Sequence, residues 1–172
     1  MNKIDFWSRK TIRYQFWILL AGICLLLLKF FGFYITSSNA ILSDALESII
    51  NVLAGSLALY SLYLSSKPKD YDHPYGHGKI EFIVAGIEGT MIFLAGVFII
   101  YKSAKGLALK EYQVQNLDIG LAITLFSGVL NYGMGYLLVK QGKASRSATL
   151  TADGKHLQSD AYTSLGLLIG LS

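Results

Sequence analysis

The sequence has one cysteine, two prolines and few charges: Asp, Glu, Lys and Arg make up 15% of its 172 residues. Soluble domains of similar length carry about 25%. The deficit points to lipid as the solvent for much of the chain. Cys24 stands inside an apolar run, so an internal disulfide and a thiolate metal cluster are both excluded. Pro68 and Pro74 fall in one polar segment, which leaves the apolar runs free of helix breakers. The net charge is a weak +4, and the basic residues come in short clusters between apolar runs. That is the membrane-protein pattern, not a nucleic-acid-binding stripe. There is no internal repeat and no low-complexity tract.

What fills the chain is hydrophobic, at 53% of residues. Five apolar stretches stand out: Tyr14–Ile35, Ile41–Leu64, Phe82–Tyr101, Leu117–Val139 and about Leu150–Leu171. Each is close to the roughly 20 residues that cross a bilayer as a helix. The fold class is therefore all-α, a polytopic transmembrane helical bundle. Arg9, Lys10 and Arg13 precede the first stretch as in a signal peptide. Its apolar core is too long for one and lacks a small-residue cleavage site. Residues 1–13 form a separate N-terminal segment, with Ile4, Phe6 and Trp7 suited to a short interfacial helix. Residues 14–172 form the transmembrane domain. Eleven Lys and Arg fall on the side of the N-terminus and of the second and fourth loops, against three in the third loop and none in the first. This bias places the N-terminus in the cytoplasm. The chain ends on Gly170-Leu171-Ser172 with no charged anchor, which reads as a truncation.

Asp44, Glu47, Glu88 and Asp160 are acidic residues inside these stretches. Each costs on the order of 2.5–3.5 kcal/mol in a membrane and by default marks an ion or proton route. Glu47 and Asn51 are four apart on the second helix; His156 and Asp160 are four apart on the fifth. Residues i and i+4 share a helix face. The two pairs on facing helices offer three oxygens and one imidazole nitrogen, enough for a tetrahedral divalent ion. Their charge of −2 cancels such an ion. The competing reading is that these groups hydrogen-bond helices together. Asp44 is either a supporting group or gate beside Glu47, or a helix N-terminal charge favoured by the dipole. Glu88 handles a proton or reaches an interface. Lys29 snorkels from the outer end of its helix or, alternatively, serves as a counter-ion.

The second loop, Asp70-Tyr71-Asp72-His73-Pro74-Tyr75-Gly76-His77-Gly78-Lys79, is the other dense spot. Asp70, His73 and His77 could close around one metal, since two glycines and a proline permit a tight fold. A solvated loop whose histidines cap the third helix competes with this.

Three segments carry a family resemblance: Ser38 to Asn51, Asp70 to Lys79, and Asp153 to Asp160 with its HxxxD. From about Tyr14 to Ser172 the chain resembles the cation diffusion facilitator family of metal/proton antiporters. The resemblance implies six transmembrane helices, five of them here, with a cytoplasmic C-terminal domain and a homodimer. It implies a transport site on Glu47, Asn51, His156 and Asp160, and a second metal site on Asp70, His73 and His77. It also implies an interface salt bridge at Lys79. Relatives usually carry Asp or His, then Asp, where this chain has Glu47 and Asn51.

The expected function is divalent cation efflux by alternating access, in a bacterial inner (plasma) membrane, with protons as counter-ions and no organic cofactor. Metal ligands must be deprotonated, so loading releases protons. The unperturbed histidine pKa of ~6.5 lies near working pH, which makes His156 the natural proton-coupled ligand. Zn²⁺ is the first expectation. The oxygen-rich set admits Fe²⁺, Mn²⁺, Cd²⁺ or Co²⁺. A non-transporting metal-binding membrane partner and an intramembrane metallo-hydrolase are the alternatives. The hydrolase lacks HExxH and a clear general base other than Glu88.

Overall fold

A computed structural model describes residues 3–36, 39–109 and 117–171. They form five helices: α1 (Lys3–Thr36), α2 (Asn39–Ser65), α3 (Lys79–Leu109), α4 (Leu117–Ser145) and α5 (Ala148–Leu171). Each predicted apolar stretch lies inside one of them, and no strand occurs among the described residues. The helices run past the apolar stretches because nothing in the flanks breaks them. Helix α1 continues without interruption from Lys3, and its 34 residues would extend about 51 Å at 1.5 Å per residue. That exceeds the roughly 30 Å of hydrocarbon, so its basic N-terminal turns have room outside. Among the described residues, three helical segments are long and apolar enough to cross a membrane: Lys10–Ile35, Asp44–Ser65 and Lys79–Phe98.

The bundle is polar inside and apolar outside. Trp17, Leu27, Phe31, Phe93, Phe98 and Val129 are exposed, whereas Gln15, Lys29, Glu88, Asp153 and His156 are buried. Water would reverse this distribution; lipid favours it, because polar groups there need partners within the protein. A smaller apolar cluster of Leu62, Leu138, Leu150 and Leu157 knits α2, α4 and α5, with Ile12, Ile18 and Met134 against it.

Helices α4 and α5 form the tightest pair. Ser147 N–H donates to Gly142 O at 2.9 Å, and Arg146 N–H to Lys143 O at 3.4 Å. With Arg146 at φ 55°, this is a Schellman ending that reverses the chain. Ser147 Oγ then accepts Leu150 N–H at 3.4 Å, capping α5. Further along, Gly135 and Gly154 meet: a Cβ on Gly154 would lie 2.7 Å from both Gly135 O and Val139 N. The absence of side chains lets the two backbones touch.

At the end of the bundle near the α2–α3 loop, Glu81 clamps three helices. Its carboxylate accepts Ser65 Oγ–H of α2 at 2.9 Å and the hydroxyl of Ser147. Its backbone carbonyl accepts Thr149 Oγ1–H at 3.1 Å, and Thr149 in turn lies 3.1 Å from Ser61 Oγ. Replacing Glu81 by alanine removes the acceptor of the Ser147 hydroxyl, which costs about 1–3 kcal/mol when left unpaired, whereas Ser65 Oγ–H keeps the Leu62 carbonyl at 3.1 Å. Thermal unfolding in detergent should shift down by several degrees; Glu81→Gln, which keeps acceptor capacity, should shift less.

Candidate functional site

Cross-helix hydrogen bonds set the register of α2 against α5. Ser61 meets Thr149 at one end, and Asn51 meets His156 ten residues earlier in α2 and seven later in α5. The two helices therefore run antiparallel. This brings together the predicted pairs. His156 Nε2 is 3.1 Å from Asn51 Oδ1 and 4.0 Å from Asp160 Oδ2. His156 is buried, and the Asp160 side chain is only 14% exposed. Asp160 Oδ2 and His156 Nδ1 are buried with no hydrogen-bond partner among the described residues. Buried polar atoms are ordinarily paired, so such atoms require an explanation.

Glu47 is exposed, where the other three are buried or half-buried. It occupies an exposed position on α2, one turn from Asn51, yet within electrostatic range of Asp160, Asp44, Lys29 and His156. The structure thus gathers three of the four predicted ligands and leaves Glu47 at the rim.

Two expectations need correction. Lys29 does not snorkel. It is 2% exposed, with Nζ 2.8 Å from Asp44 Oδ1 and donating to Ser48 Oγ at 2.7 Å. The reason is that α2 presents a carboxylate and a hydroxyl closer than the membrane surface. Asp44 is accordingly an ion-pair partner rather than an isolated helix-terminal charge. Glu88 does not reach an interface: it is fully buried, and neither carboxylate oxygen has a partner among the described residues.

Asp153 is a group that the i,i+4 criterion passes over. It lies within the fifth apolar stretch, three residues before His156 and on the same side of α5. Gln15 Nε2 donates to Asp153 Oδ2 at 2.6 Å and to Gly55 O at 3.2 Å. This joins α1, α2 and α5 just beyond Asn51 and His156. A cavity of ≈ 30 Å³ adjoins it, lined by Gln15, Ser48, Asn51, Asn131 and Asp153 among others. That is room for about two waters. A buried carboxylate in an apolar stretch was the available signal. Glu81, by contrast, precedes the third stretch and reads as an ordinary helix N-terminal charge.

The second loop also closes. Gly76 N–H donates to His73 O at 2.9 Å, a β-turn with Pro74 at its second position and Gly76, at φ 85°, at its fourth. The turn returns His77 to Asp70. Asp70 Oδ1 accepts the His73 amide at 2.7 Å and lies 3.0 Å from His73 Nδ1. Asp70 Oδ2 is 3.3 Å from His77 Nε2. One donor atom from each of Asp70, His73 and His77 falls within 4.8 Å of the others, the one such three-residue group among the described residues. Bonds of about 2.0 Å to a tetrahedral Zn²⁺ put neighbouring donors about 3.3 Å apart, so this spacing suits the ion. The histidine side chains face Asp70; helix α3 is capped instead by the His77 carbonyl, which accepts Ile80 N–H at 3.2 Å. Lys79, the first residue of α3, is exposed.

Desolvation, the largest single cause, pushes the Asp70 carboxyl up. The hydrogen bonds from the His73 amide and ring, and the charges of His73 and His77, outweigh it and hold the group below its ordinary value of 3.8. A carboxyl lowered on folding stabilises above its ordinary value, and that contribution is lost as pH falls through the lowered one. The loop is therefore expected to stay closed at neutral pH and to open in acid. Titration with Co²⁺, followed by its visible absorption, should detect a loop site. His73→Ala or His77→Ala should weaken that signal at least about tenfold, since each removes one of three protein ligands. Retention of the full signal would sink the loop assignment.

Comparison with known proteins gives a consistent result. Residues 15–172 match the family described as the cation efflux transmembrane domain. The chain is 36% identical over 145 residues to an uncharacterized transporter of Synechocystis, covering 84% of this chain and 46% of the relative. It is 29% identical over 161 residues to the manganese efflux system protein MneP of Bacillus subtilis, covering 89% and 51%. It is 25% identical over 169 residues to the cation-efflux pump FieF of Shewanella oneidensis, covering 94% and 57%. The chain spans about half the length of the curated relatives it matches.

Proposed function

We propose, from the premise that this chain belongs to the cation efflux family, that it carries the intramembrane binding site of a divalent metal/proton antiporter. The observation that carries this reading is the convergence of three donor atoms, with His156 Nε2 3.1 Å from Asn51 Oδ1 and 4.0 Å from Asp160 Oδ2, and Asp160 Oδ2 buried without a hydrogen-bond partner among the described residues. A divalent cation is the substrate that would satisfy them. Glu47 at the rim completes the donor set by a side-chain rotation as the ion arrives. Its carboxylate brings the ligand charge to −2.

The chain's own residues account for the exchange. A metal and a proton compete for the same lone pairs on His156, Asp160 and Glu47. Loading from one side releases protons, and protonation from the other expels the metal. Zn²⁺ suits one imidazole with carboxylates. The oxygen-rich remainder admits Fe²⁺ and Mn²⁺ as well, and one relative is named for manganese efflux. Asp70, His73 and His77 supply a separate metal site at the loop, facing the cytoplasm in the orientation set by the Lys and Arg bias. Lys79, exposed at the start of α3, is the residue assigned to pair across a homodimer.

The test is reconstitution of the full-length protein in liposomes holding a pH-sensitive dye. An imposed Zn²⁺ or Mn²⁺ gradient should drive proton movement in the opposite direction. Metal binding without any proton movement would instead favour a non-transporting metal-binding partner.

A further inference from the structure

The buried cation beside the site has no place in the ligand set. Lys29 sits on α1, six residues or fewer than two turns from Ile35 at the nearer end of that helix's membrane stretch. Its side chain is 3% exposed. It contacts Asp44 at 2.8 Å and Ser48 at 2.7 Å, and Ser48 Oγ–H donates back to the Asp44 carbonyl at 3.0 Å. Asp44 and Ser48 flank Glu47 on α2, and Lys29 lies within electrostatic range of both Glu47 and Asp160. A helix–helix link alone needs no charge; two hydroxyls would serve, as Ser61 and Thr149 do at the other end of α2.

Charge arithmetic gives the reason for one. Among the groups within range of Lys29, Glu47 and Asp160 carry −2, Asp44 makes −3, and Lys29 restores −2; Asp153, bound by Gln15, is outside that range. We propose that Lys29 is the internal counter-charge that matches the net charge of the transport site to a divalent cation, acting as a positioning and charge-setting residue rather than a ligand. The inference rests on the transport-site reading above. Too negative a site holds the metal and is slow to release it; too weak a site does not load. Both matter in an antiporter, where one site must bind on one face and discharge on the other.

The role separates cleanly from a merely structural one. If Lys29 and Asp44 only tie α1 to α2, breaking the tie from either side has the same effect. If they set charge, the two single variants move in opposite directions. Lys29→Met leaves −3 at the site, and Asp44→Asn leaves −1. Zn²⁺ and Mn²⁺ binding to the purified full-length protein, measured by calorimetry in detergent, should tighten at least about tenfold in the first and weaken at least about tenfold in the second, as expected for unit charges in a medium of effective dielectric near 20. The double variant should return near wild-type affinity. In liposomes, Lys29→Met should lower both KM and maximal flux, because release slows. Where Lys29→Met does not fold, Asp44→Asn and the double variant decide: the first must weaken binding and the second must restore it. Single variants that shift affinity in the same direction, or a double variant as weak as Asp44→Asn, overturn the inference alone. Wild-type protein whose metal binding is indifferent to Asp160→Asn overturns the transport site, and the inference with it.

Discussion

Replacing His156 and Asp160 together by alanine should reduce metal-driven proton flux at least about 100-fold, with the protein still folded. The expectation follows from the donor count. The double variant keeps only Glu47 and Asn51 of the proposed ligands, and the charge offered to the cation falls from −2 to −1. Groups that merely support a metal ligand cost about 10–100-fold in affinity when removed. Two direct ligands should cost more. The variant also removes the imidazole, the proposed proton-coupled ligand. Folding should survive, because alanine removes two unpartnered buried atoms, His156 Nδ1 and Asp160 Oδ2, which offsets the hydrogen bond that half-buried Asn51 loses. The measurement is dye-reported proton flux under a Zn²⁺ or Mn²⁺ gradient, with the wild-type protein in parallel. Unchanged flux would remove this site from the mechanism.

Gly154→Leu should be a severely damaging packing change. A side chain there has no space. Its first carbon would lie 2.7 Å from Gly135 O and from Val139 N, and 2.8 Å from Val139 Cγ2. Two of those three atoms are backbone, which cannot swing aside, so α4 and α5 must separate. Overpacking typically costs 1–3 kcal/mol, and a four-carbon side chain against backbone belongs at about 3 kcal/mol or above. Thermal unfolding should fall by on the order of 10 °C. The separation would also carry His156, two residues along α5, away from Asn51. Metal affinity should therefore fall along with stability. Gly133→Ala is the matched control: on the same α4 helix, nothing lies within 4 Å of its added carbon. Alanine's better helix propensity should make that change neutral or stabilising by up to about 1 kcal/mol. Equal effects at the two glycines would show that close approach is not what Gly154 provides.

Local features were legible in the sequence for a physical reason. A transmembrane helix satisfies its own backbone and needs only apolar length, so five stretches gave five helices within a few turns. The loop triad depends on a short turn through Pro74 and Gly76, and residues seven apart or fewer supply all three donors. The pairing of Glu47 with Asn51, and of His156 with Asp160, needs only helical periodicity.

Most associations between helices were not legible, because periodicity carries no information about which faces meet; the facing of Asn51 and His156 was expected from their chemistry rather than from periodicity. Asn51 meets His156 across 105 residues, and Gln15 meets Asp153 across 138. The Lys29 charge is a case in point. Sequence offered a long side chain that could stretch to the surface, and the packing of α1 on α2 supplied Asp44 and Ser48 nearer at hand. Glu81 became a clamp because α5 begins beside it with Ser147 and Thr149. Glu47 went the other way, to the rim, although its spacing is as good as that of Asn51. The sequence by itself determined a helical membrane domain with metal-binding chemistry, through apolar length, helical periodicity and local turn residues. Only the tertiary structure decided which charges oppose which, since in a low-dielectric interior a buried charge is defined by the partner that packing brings within about 3 Å.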